Sequence, residues 1–140
     1  MGCLIGLDFG IKDSGIAITD QNQIIASPLD SCKTNRLIPF LIKYDKNERV
    51  DAFVIGKPIQ KDGSPSDVEK EILEFIIKLK KIFPNKSIYR QDERYTSKIS
   101  ARVVLESGIK KNKRKNKRLI DKISATLILQ SYLEYKSKNS

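Results

Sequence analysis

Short apolar runs alternate with amphipathic stretches along the chain, and this pattern predicts a mixed α/β fold. Three strands are expected near the N-terminus, each bounded by turn-forming residues: Leu4–Asp8, Gly15–Thr19 and Gln23–Ala26. Their close spacing along the chain favours an antiparallel meander. The segment Asp51–Gly56 is expected to be a continuous buried strand of the parallel type, and Lys86–Gln91 is expected to be the fifth strand.

Helical spacing of apolar residues predicts the elements that connect and follow these strands. Asn35–Tyr44 is expected to be a helix, in which Pro39 either causes a kink or marks the true start. A second helix is expected to begin near Ser64, because Pro65 and Asp67 follow at positions that favour a helix start. Its apolar face comprises Val68, Ile72, Phe75, Ile76 and Leu79.

Two further helices complete the predicted order of elements, β-β-β-α-β-α-β-α-α. The first is Thr96–Ser107, ended by Gly108, and the second runs from Leu119 to about Lys136. This order predicts a five-stranded mixed sheet, antiparallel in its three N-terminal strands, with helices packed on its faces. At 140 residues, the chain is expected to form one domain spanning residues 1–140.

The composition narrows the setting in which the protein works. No apolar run approaches the roughly 18–20 residues that a membrane span needs, and no basic segment followed by an apolar core of the signal-peptide type opens the chain. The only cysteines, Cys3 and Cys32, are therefore expected to be reduced thiols. These features predict a cytoplasmic protein without a membrane partner.

The chain contains no histidine, and this excludes several classes of chemistry. A Ser-His triad, a histidine general base and an ordinary His-containing zinc site all need an imidazole. Two cysteines cannot form a four-thiolate site either. Any catalysis must therefore depend on carboxylates, lysines or a bound hard cation.

Positive charge is concentrated near the C-terminal end of the chain. Residues 109–140 contain ten Lys and Arg but only two acidic residues, and they account for most of the net charge of +10. We call residues 110–118 the basic segment, whose charged members are Lys110, Lys111, Lys113, Arg114, Lys115, Lys117 and Arg118. Such a cluster favours salt-sensitive binding to nucleic-acid phosphates. An acidic protein partner or nuclear targeting would use the same charges, and a solvated loop would need no ligand at all.

Acidic residues follow two of the predicted strands at the point where each strand ends. Asp8 closes the first strand, and Asp92 and Glu93 follow the last one. Ligand sites in open α/β sheets form outside the carboxyl ends of the strands. Local roles exist for these acids and for Asp121 in the last predicted helix: Asp8 could cap a turn, Asp121 could favour the positive end of a helix, and Asp92 or Glu93 could pair with Arg94.

A third acidic position lies in the last predicted helix. Asp121 is followed at i+4, i+7 and i+11 by Ala125, Ile128 and Tyr132, so it is expected to point inward from an otherwise apolar face. An isolated carboxylate there would be costly to bury. Carboxylates that crowd together repel one another unless a divalent cation neutralises them, and oxygen ligands suit Mg²⁺ or Mn²⁺. The sequence therefore predicts a metal site at this edge of the sheet.

Four motifs occur in one order along nearly the whole chain, and together they are highly specific. They are GLDFG with Lys12 and Gly15, IGKP…DGS from Ile55 to Ser64, DERYTS from Asp92 to Ser97 with Ala101, and KRLIDKISATLILQSYL from Lys117 to Leu133. With these motifs the chain resembles the YqgF/RuvX-type family of pre-16S rRNA nucleases and Holliday-junction-resolvase-like proteins. The resemblance implies a ribonuclease-H-like fold.

The resemblance also implies a metal-dependent phosphodiesterase built on Asp8, one acid of the DER motif and Asp121. Glu93 is favoured over Asp92, because adjacent strand residues face opposite ways. Two Mg²⁺ or Mn²⁺ ions about 3.5–4 Å apart would clamp the scissile phosphate. Asp8 would bridge the ions, and Glu93 and Asp121 would hold one each. Lys12, together with Lys57, Arg94 and the basic segment, would contact substrate phosphates.

The implied substrate is structured RNA, such as pre-16S rRNA in ribosomal precursor particles, or branched DNA. The protein would act as a monomer or a homodimer. Three positions depart from the family's usual pattern: Ile11 stands where Thr is common, Asp13 where a basic residue is usual, and Lys57 where Leu is frequent. These departures affect phosphate positioning near Asp8 and leave the acidic residues in place.

Two other classes of function remain open at this point. A non-catalytic nucleic-acid-binding assembly factor would keep the acidic site without turnover. The GLDFG motif followed by Gly15 also resembles the first phosphate loop of actin-like ATPases, but those enzymes need two such domains with a nucleotide between them. A kinase interpretation of the DFG tripeptide fails, because the other kinase motifs are missing.

Overall fold

The computed structural model describes residues 2–60, 62–93 and 117–138. Within these ranges the strands are β1 (Cys3–Asp8), β2 (Asp13–Thr19), β3 (Ala26–Lys33), β4 (Val50–Lys57) and β5 (Ser87–Asp92). The helices are α1 (Leu37–Asn47), which follows a 3-10 turn at Thr34–Arg36, α2 (Glu69–Ile82) and α3 (Lys117–Lys138). The predicted helix Thr96–Ser107 lies outside the described residues.

The five strands form one sheet in the order β3-β2-β1-β4-β5. β2 pairs antiparallel with both β1 and β3, whereas β4 pairs parallel with both β1 and β5. The predicted α/β class, with a mixed sheet and an antiparallel N-terminal meander, is confirmed. Because β1 lies at the centre, its carboxyl end at Asp8 has β2 on one side and β4 on the other.

Alternation along β1 divides the core into two layers, one on each face of the sheet. Ile5 and Leu7 are fully buried against the layer that contains α1 and α2. Leu4 lies in the opposite layer, with Ala125 and Leu129 of α3. Positions 6 and 8 continue the alternation that begins at Leu4, and Asp8 therefore lies on the face covered by α3.

The inner face of α3 agrees with the sequence prediction. Ala125, Ile128 and Tyr132 are all buried against the sheet, and Asp121 lies one turn before them on the same face. Across the parts of the chain that the structure describes, no helix combines the length and the apolar character that crossing a membrane requires.

The third strand is the largest error in the predicted elements. β3 begins at Ala26, whereas Gln23–Ala26 was predicted to be the strand. Gln23 has a positive φ of 57°, and the Asp20 carboxylate accepts backbone hydrogen bonds from Ile24 and Ile25 at 2.8 Å. These bonds fix residues 20–25 as a turn. Pro28 within β3 argues against a central strand, but β3 is an edge strand and its register shifts beside Pro28.

The predicted starts of the first two helices differ in outcome. Pro39 lies in the first turn of α1, where backbone N–H groups have no partner within the helix, so the missing N–H of proline costs no hydrogen bond. Of the two predicted alternatives, Pro39 therefore marks the start of the helix and does not cause a kink. The predicted start of α2 near Ser64 is wrong, because α2 begins at Glu69. The Ser64 amide and hydroxyl both donate to Asp62 Oδ1, at 2.9 and 2.6 Å, and form a local turn instead.

Candidate active site

Asp8 and Asp121 are brought together by a glycine that lets α3 lie directly on the sheet. Asp8 is paired with Gly15 in the antiparallel β1–β2 ladder, so the Asp8 side chain and the hydrogen in place of a Gly15 side chain face the same way. A Cβ atom at Gly15 would overlap the carbonyl oxygen of Asp121. The backbone of α3 at Asp121 therefore lies over the strand beside Asp8.

Glu93 approaches the same region from the far side of β4. One residue past the last β1–β4 pair, Leu7 with Ile55, the neighbouring positions are Asp8 and Gly56. A Cβ atom at Gly56 would lie 2.9 Å from Cδ of Glu93 and 3.0 Å from its Cγ. The side chain of Glu93 thus lies against the bare backbone of β4, between β5 and Asp8.

The alternation along β5 separates Glu93 from Asp92. Tyr89 stacks on Tyr132 of α3 with a ring-centroid distance of 5.2 Å, so the odd-numbered positions of β5 face α3. Glu93 continues that set just beyond the strand, whereas Asp92 shares the opposite set with Arg90. The structure therefore brings Glu93, Asp8 and Asp121 to one edge of the sheet, and we call these three side chains the carboxylate cluster.

Burial raises the pKa values of all three carboxyl groups, and a neighbouring charge within the cluster adds to the rise at Asp8 and at Glu93. Burial raises the pKa of Asp8 from 3.8 to about 6, and the negative charge of Asp121 adds to the rise. Burial raises the pKa of Glu93 from 4.5 to about 7, with the charge of Asp8 as the next contribution. Burial also raises the pKa of Asp121. Ionising these groups together is therefore unfavourable in the protein itself.

The donor set fits a hard divalent cation, although the cluster is loose. Among residues 2–60, 62–93 and 117–138, no three Asp, Glu or Cys side chains form a compact group ready to hold a metal ion. In the same ranges, Asp121 Oδ2 and Ser31 Oγ are buried and make no hydrogen bond of ordinary geometry, although the Ser31 hydroxyl is near enough to lower the pKa of Asp121. Carboxylate oxygens with an unused lone pair are the ligands that Mg²⁺ and Mn²⁺ prefer.

Two basic residues at the start of α3 are held by acids of the sheet. Lys117 Nζ donates to Asp13 Oδ2 at 3.1 Å, and its positive charge lowers the pKa values of Asp8 and Asp121. Arg118 Nη2 lies 3.3 Å from Asp30 Oδ1 and donates to the carbonyl oxygen of Ser31 at 2.5 Å. Both side chains remain largely exposed, so they could also contact a phosphate.

The other predicted phosphate contacts are only partly within the described ranges. Lys12 is exposed in the β1–β2 turn, and Lys57 ends β4 opposite Asp92. Ile11, one of the departures from the family pattern, is 68% exposed in the same turn as Lys12. The remaining predicted contacts lie outside the described residues: Arg94, Lys110, Lys111, Lys113, Arg114 and Lys115.

Sequence reasoning assigned no role to Gly56, Glu69 or Arg90, all of which shape the site. The signal for Gly56 was available, because a glycine beside the end of a buried strand often marks close approach of another group. The partnership of Arg90 with Glu69 was not predictable, since 21 residues separate them along the chain and their contact depends on how α2 packs.

Comparison with known proteins gives a match over nearly the whole chain. Residues 2–135 match the model of the RuvX family, described as Holliday junction resolvase. A relative from Flavobacterium johnsoniae named "Putative pre-16S rRNA nuclease" is 46% identical over 133 residues, which cover 95% of this chain and 96% of the relative. Relatives with the same name in Christiangramia forsetii and Bacteroides fragilis are each 44% identical, over 95% and 97% of this chain and 98% and 99% of theirs.

Proposed function

The chain belongs to the RuvX family, which confirms the resemblance in its sequence motifs and the ribonuclease-H-like fold class, and on that premise we propose that it is a metal-dependent nuclease. Its natural target, on this proposal, is the 5′ end of pre-16S rRNA in the cytoplasm. The observation that carries the proposal is the carboxylate cluster, in which acids from three distant segments meet at one edge of the sheet. The names of the curated relatives support the choice of rRNA over branched DNA.

Asp8, Glu93 and Asp121 would hold Mg²⁺ or Mn²⁺ through their carboxylate oxygens. Bound divalent cations lower the pKa of an attacking water and stabilise the charge that develops on a scissile phosphate. The protein's own contribution is to keep these carboxyl groups together and partly dry, so that the cation rather than solvent neutralises them. Lys117, which already lowers the pKa values of Asp8 and Asp121, would exchange its Asp13 partner for a substrate phosphate.

The proposal is tested by incubating the purified chain with three substrates under three metal conditions. The substrates are a pre-16S rRNA fragment, a four-way DNA junction and single-stranded DNA, each with Mg²⁺, Mn²⁺ or EDTA. We expect cleavage of the RNA in either metal and none in EDTA. Tight RNA binding without cleavage in any condition would contradict a nuclease and favour a non-catalytic assembly factor.

Gly56→Ala is expected to reduce cleavage by displacing Glu93. The added methyl group would lie 2.9 Å from Glu93 Cδ and 2.7 Å from Ile128 Cδ1, and a displacement of about 1 Å at a catalytic group can cost about 100-fold in kcat. Ile128→Val removes Cδ1, so the double variant Gly56→Ala/Ile128→Val serves as the control. We expect the double variant to recover thermal stability but not activity, as measured by melting and by cleavage rate. Full recovery of both would show that the position of Glu93 is unimportant.

Neutralising the basic segment is expected to weaken the salt dependence of RNA binding. Each phosphate contact that is lost reduces the slope of log Kd against log salt concentration by about 0.7–0.9. The test variant replaces Lys110, Lys111, Lys113, Arg114 and Lys115 with Gln. The control variant replaces five exposed lysines of α1 and α2, on the opposite face of the sheet: Lys43, Lys46, Lys70, Lys80 and Lys81. Equal slopes for the test variant and the unmodified chain would exclude the basic segment from the RNA interface.

A further inference from the structure

Arg90 makes an unusually complete set of contacts at the end of β4, just behind the carboxylate cluster. Its Nη2 donates to Glu69 Oε1 at 2.7 Å and to the carbonyl oxygen of Gly56 at 3.0 Å. Its Nη1 donates to Glu69 Oε2 at 3.1 Å, and its Nε donates to the carbonyl oxygen of Ile55 at 3.3 Å. One guanidinium group thus connects β5, the last residues of β4 and the first residue of α2.

From these contacts we propose that Arg90 is a positioning residue for Glu93, an inference that rests on the proposed function of the carboxylate cluster. Glu93 lies against Gly56, so a shift of the Gly56 backbone would change the space that the Glu93 side chain occupies. Gly56 has no side chain through which neighbouring residues could hold it. Arg90 holds this peptide through the Gly56 carbonyl oxygen, from the side opposite to Glu93.

The chemistry of the pair favours positioning over a role in stability alone. The Arg90 and Glu69 side chains are only 21% and 11% exposed, and buried ion pairs contribute little net stability compared with apolar residues of similar size. The rigid, bidentate geometry of the pair instead fixes the orientation of the Arg90 guanidinium group, which a flexible lysine ammonium cannot reproduce. Glu69 is itself favourably placed, because it is an acid in the first turn of α2.

Electrostatics give Arg90 a second effect on the same carboxylate. Among the groups that shift the pKa of Glu93, Arg90 lowers it, whereas Asp8, Asp92 and Glu69 raise it. This effect adds to the geometric one and would survive in a lysine variant.

Arg90→Lys is the decisive variant, because it keeps the positive charge and removes the planar guanidinium group whose N–H groups donate to Glu69, Ile55 and Gly56. We expect kcat to fall about 10–100-fold, as is usual when a residue behind a metal ligand is changed, with Mn²⁺ affinity reduced by a similar factor. KM for RNA should change by less than about twofold, since phosphate contacts set substrate affinity. Mn²⁺ affinity is measured on the metal-free protein by electron paramagnetic resonance, which is independent of turnover. Arg49→Lys, at the other end of the sheet, is the control.

Crystal structures of the unmodified chain and of Arg90→Lys test the placement directly, even if the chain cleaves none of the nucleic acids tried. We expect Cδ of Glu93 to move away from Gly56 by about 1 Å or more, a displacement large enough to impair catalysis. Glu93 unmoved in the variant, or kcat and Mn²⁺ affinity unchanged while the melting temperature falls, would overturn the proposal and leave Arg90 a purely structural residue. Where Arg90→Lys folds poorly, Glu69→Gln is the second variant. It keeps the shape of the side chain but removes the charge that pairs with Arg90, and we expect it to give the same displacement of Glu93.

Discussion

Asp8→Asn is expected to abolish metal-dependent cleavage while the chain remains folded. Asp8 lies at the centre of the carboxylate cluster, since its charge interacts with those of both Asp121 and Glu93. An amide has almost the same shape but is a poor ligand for a hard cation. We expect kcat to fall by more than about 100-fold, which is the upper end of the loss seen when only a supporting residue is changed.

The same substitution is expected to stabilise the metal-free protein above neutral pH. The folded-state pKa of Asp8 is about 6, above the ordinary value of 3.8, so the folded chain binds this proton more tightly than the unfolded chain. The free energy of unfolding is therefore reduced as the pH rises from about 4 to 6, and the reduction persists at higher pH. The difference in pKa corresponds to at most about 3 kcal/mol. Asp8→Asn should remove this cost at pH 7.5 and leave stability at pH 4 unchanged.

Urea unfolding at pH 4 and pH 7.5, with and without Mg²⁺, checks both parts of this expectation. Mg²⁺ should raise the stability of the unmodified chain, because it binds only the folded state, and should have little effect on the variant. Asp62→Asn is the control: Asp62 is exposed in a turn where an amide oxygen can still accept the bonds from Ser64. Wild-type cleavage rates in Asp8→Asn would remove the catalytic assignment of this residue.

The sequence was sufficient to predict the central strands because their burial leaves few alternatives. Residues 52–55 are all apolar, and Asp51–Gly56 was expected to be a buried parallel strand; β4 is that strand with one residue more at each end. Asp121 could be oriented from the spacing of Ala125 and Ile128 alone, since a helix face that is otherwise apolar must pack on the core. These predictions use only local periodicity.

The errors arose where local signals compete with long-range pairing. Ser27–Lys33 contains Pro28 and several polar residues, which read as a loop, yet an edge strand needs only one hydrogen-bonded side and tolerates them. Ser64 and Pro65 form a plausible helix start, but in the structure Pro65 pairs with Ile59 in a short antiparallel bridge, so the helix does not begin there. Neither outcome follows from residue type, because both depend on a partner elsewhere in the chain.

For the carboxylate cluster, the sequence predicted which acidic residues come together but not how closely they approach, and the reason is geometric. Which carboxyl groups converge could be inferred from strand ends and helix faces, but how closely they approach depends on glycines that make the approach possible. Gly15 and Gly56 allow close approach because they have no side chain, and this effect can be recognised only when the opposing backbone or side chain is known. The choice between Asp92 and Glu93 rested on alternation, and the structure places Glu93, not Asp92, on the face that α3 covers.

Gly15→Ala is expected to be the most disruptive single-atom change in the described core. The added Cβ would overlap the backbone carbonyl of Asp121, and a backbone atom cannot rotate away as a side-chain end can. Moving α3 outward would open the packing of Ala125, Ile128 and Leu129 against the sheet. Overpacking costs about 1–3 kcal/mol where side chains can adjust, so we expect a loss of at least about 3 kcal/mol here.

Gly63→Ala provides a matched comparison for this effect. Gly63 has a φ of +91° but no atom within 4 Å of an added Cβ, so only backbone strain of about 1–3 kcal/mol is expected. Urea unfolding of the two variants separates steric overlap from loss of glycine flexibility. In Gly15→Ala the protein that remains folded should also cleave RNA at least about 100-fold more slowly, because Asp121 has moved from Asp8, whereas Gly63→Ala should retain its rate. Equal stability and equal cleavage rates in the two variants would show that α3 does not rest on β2 at Gly15, and the convergence of Asp8 with Asp121 would lose its structural basis.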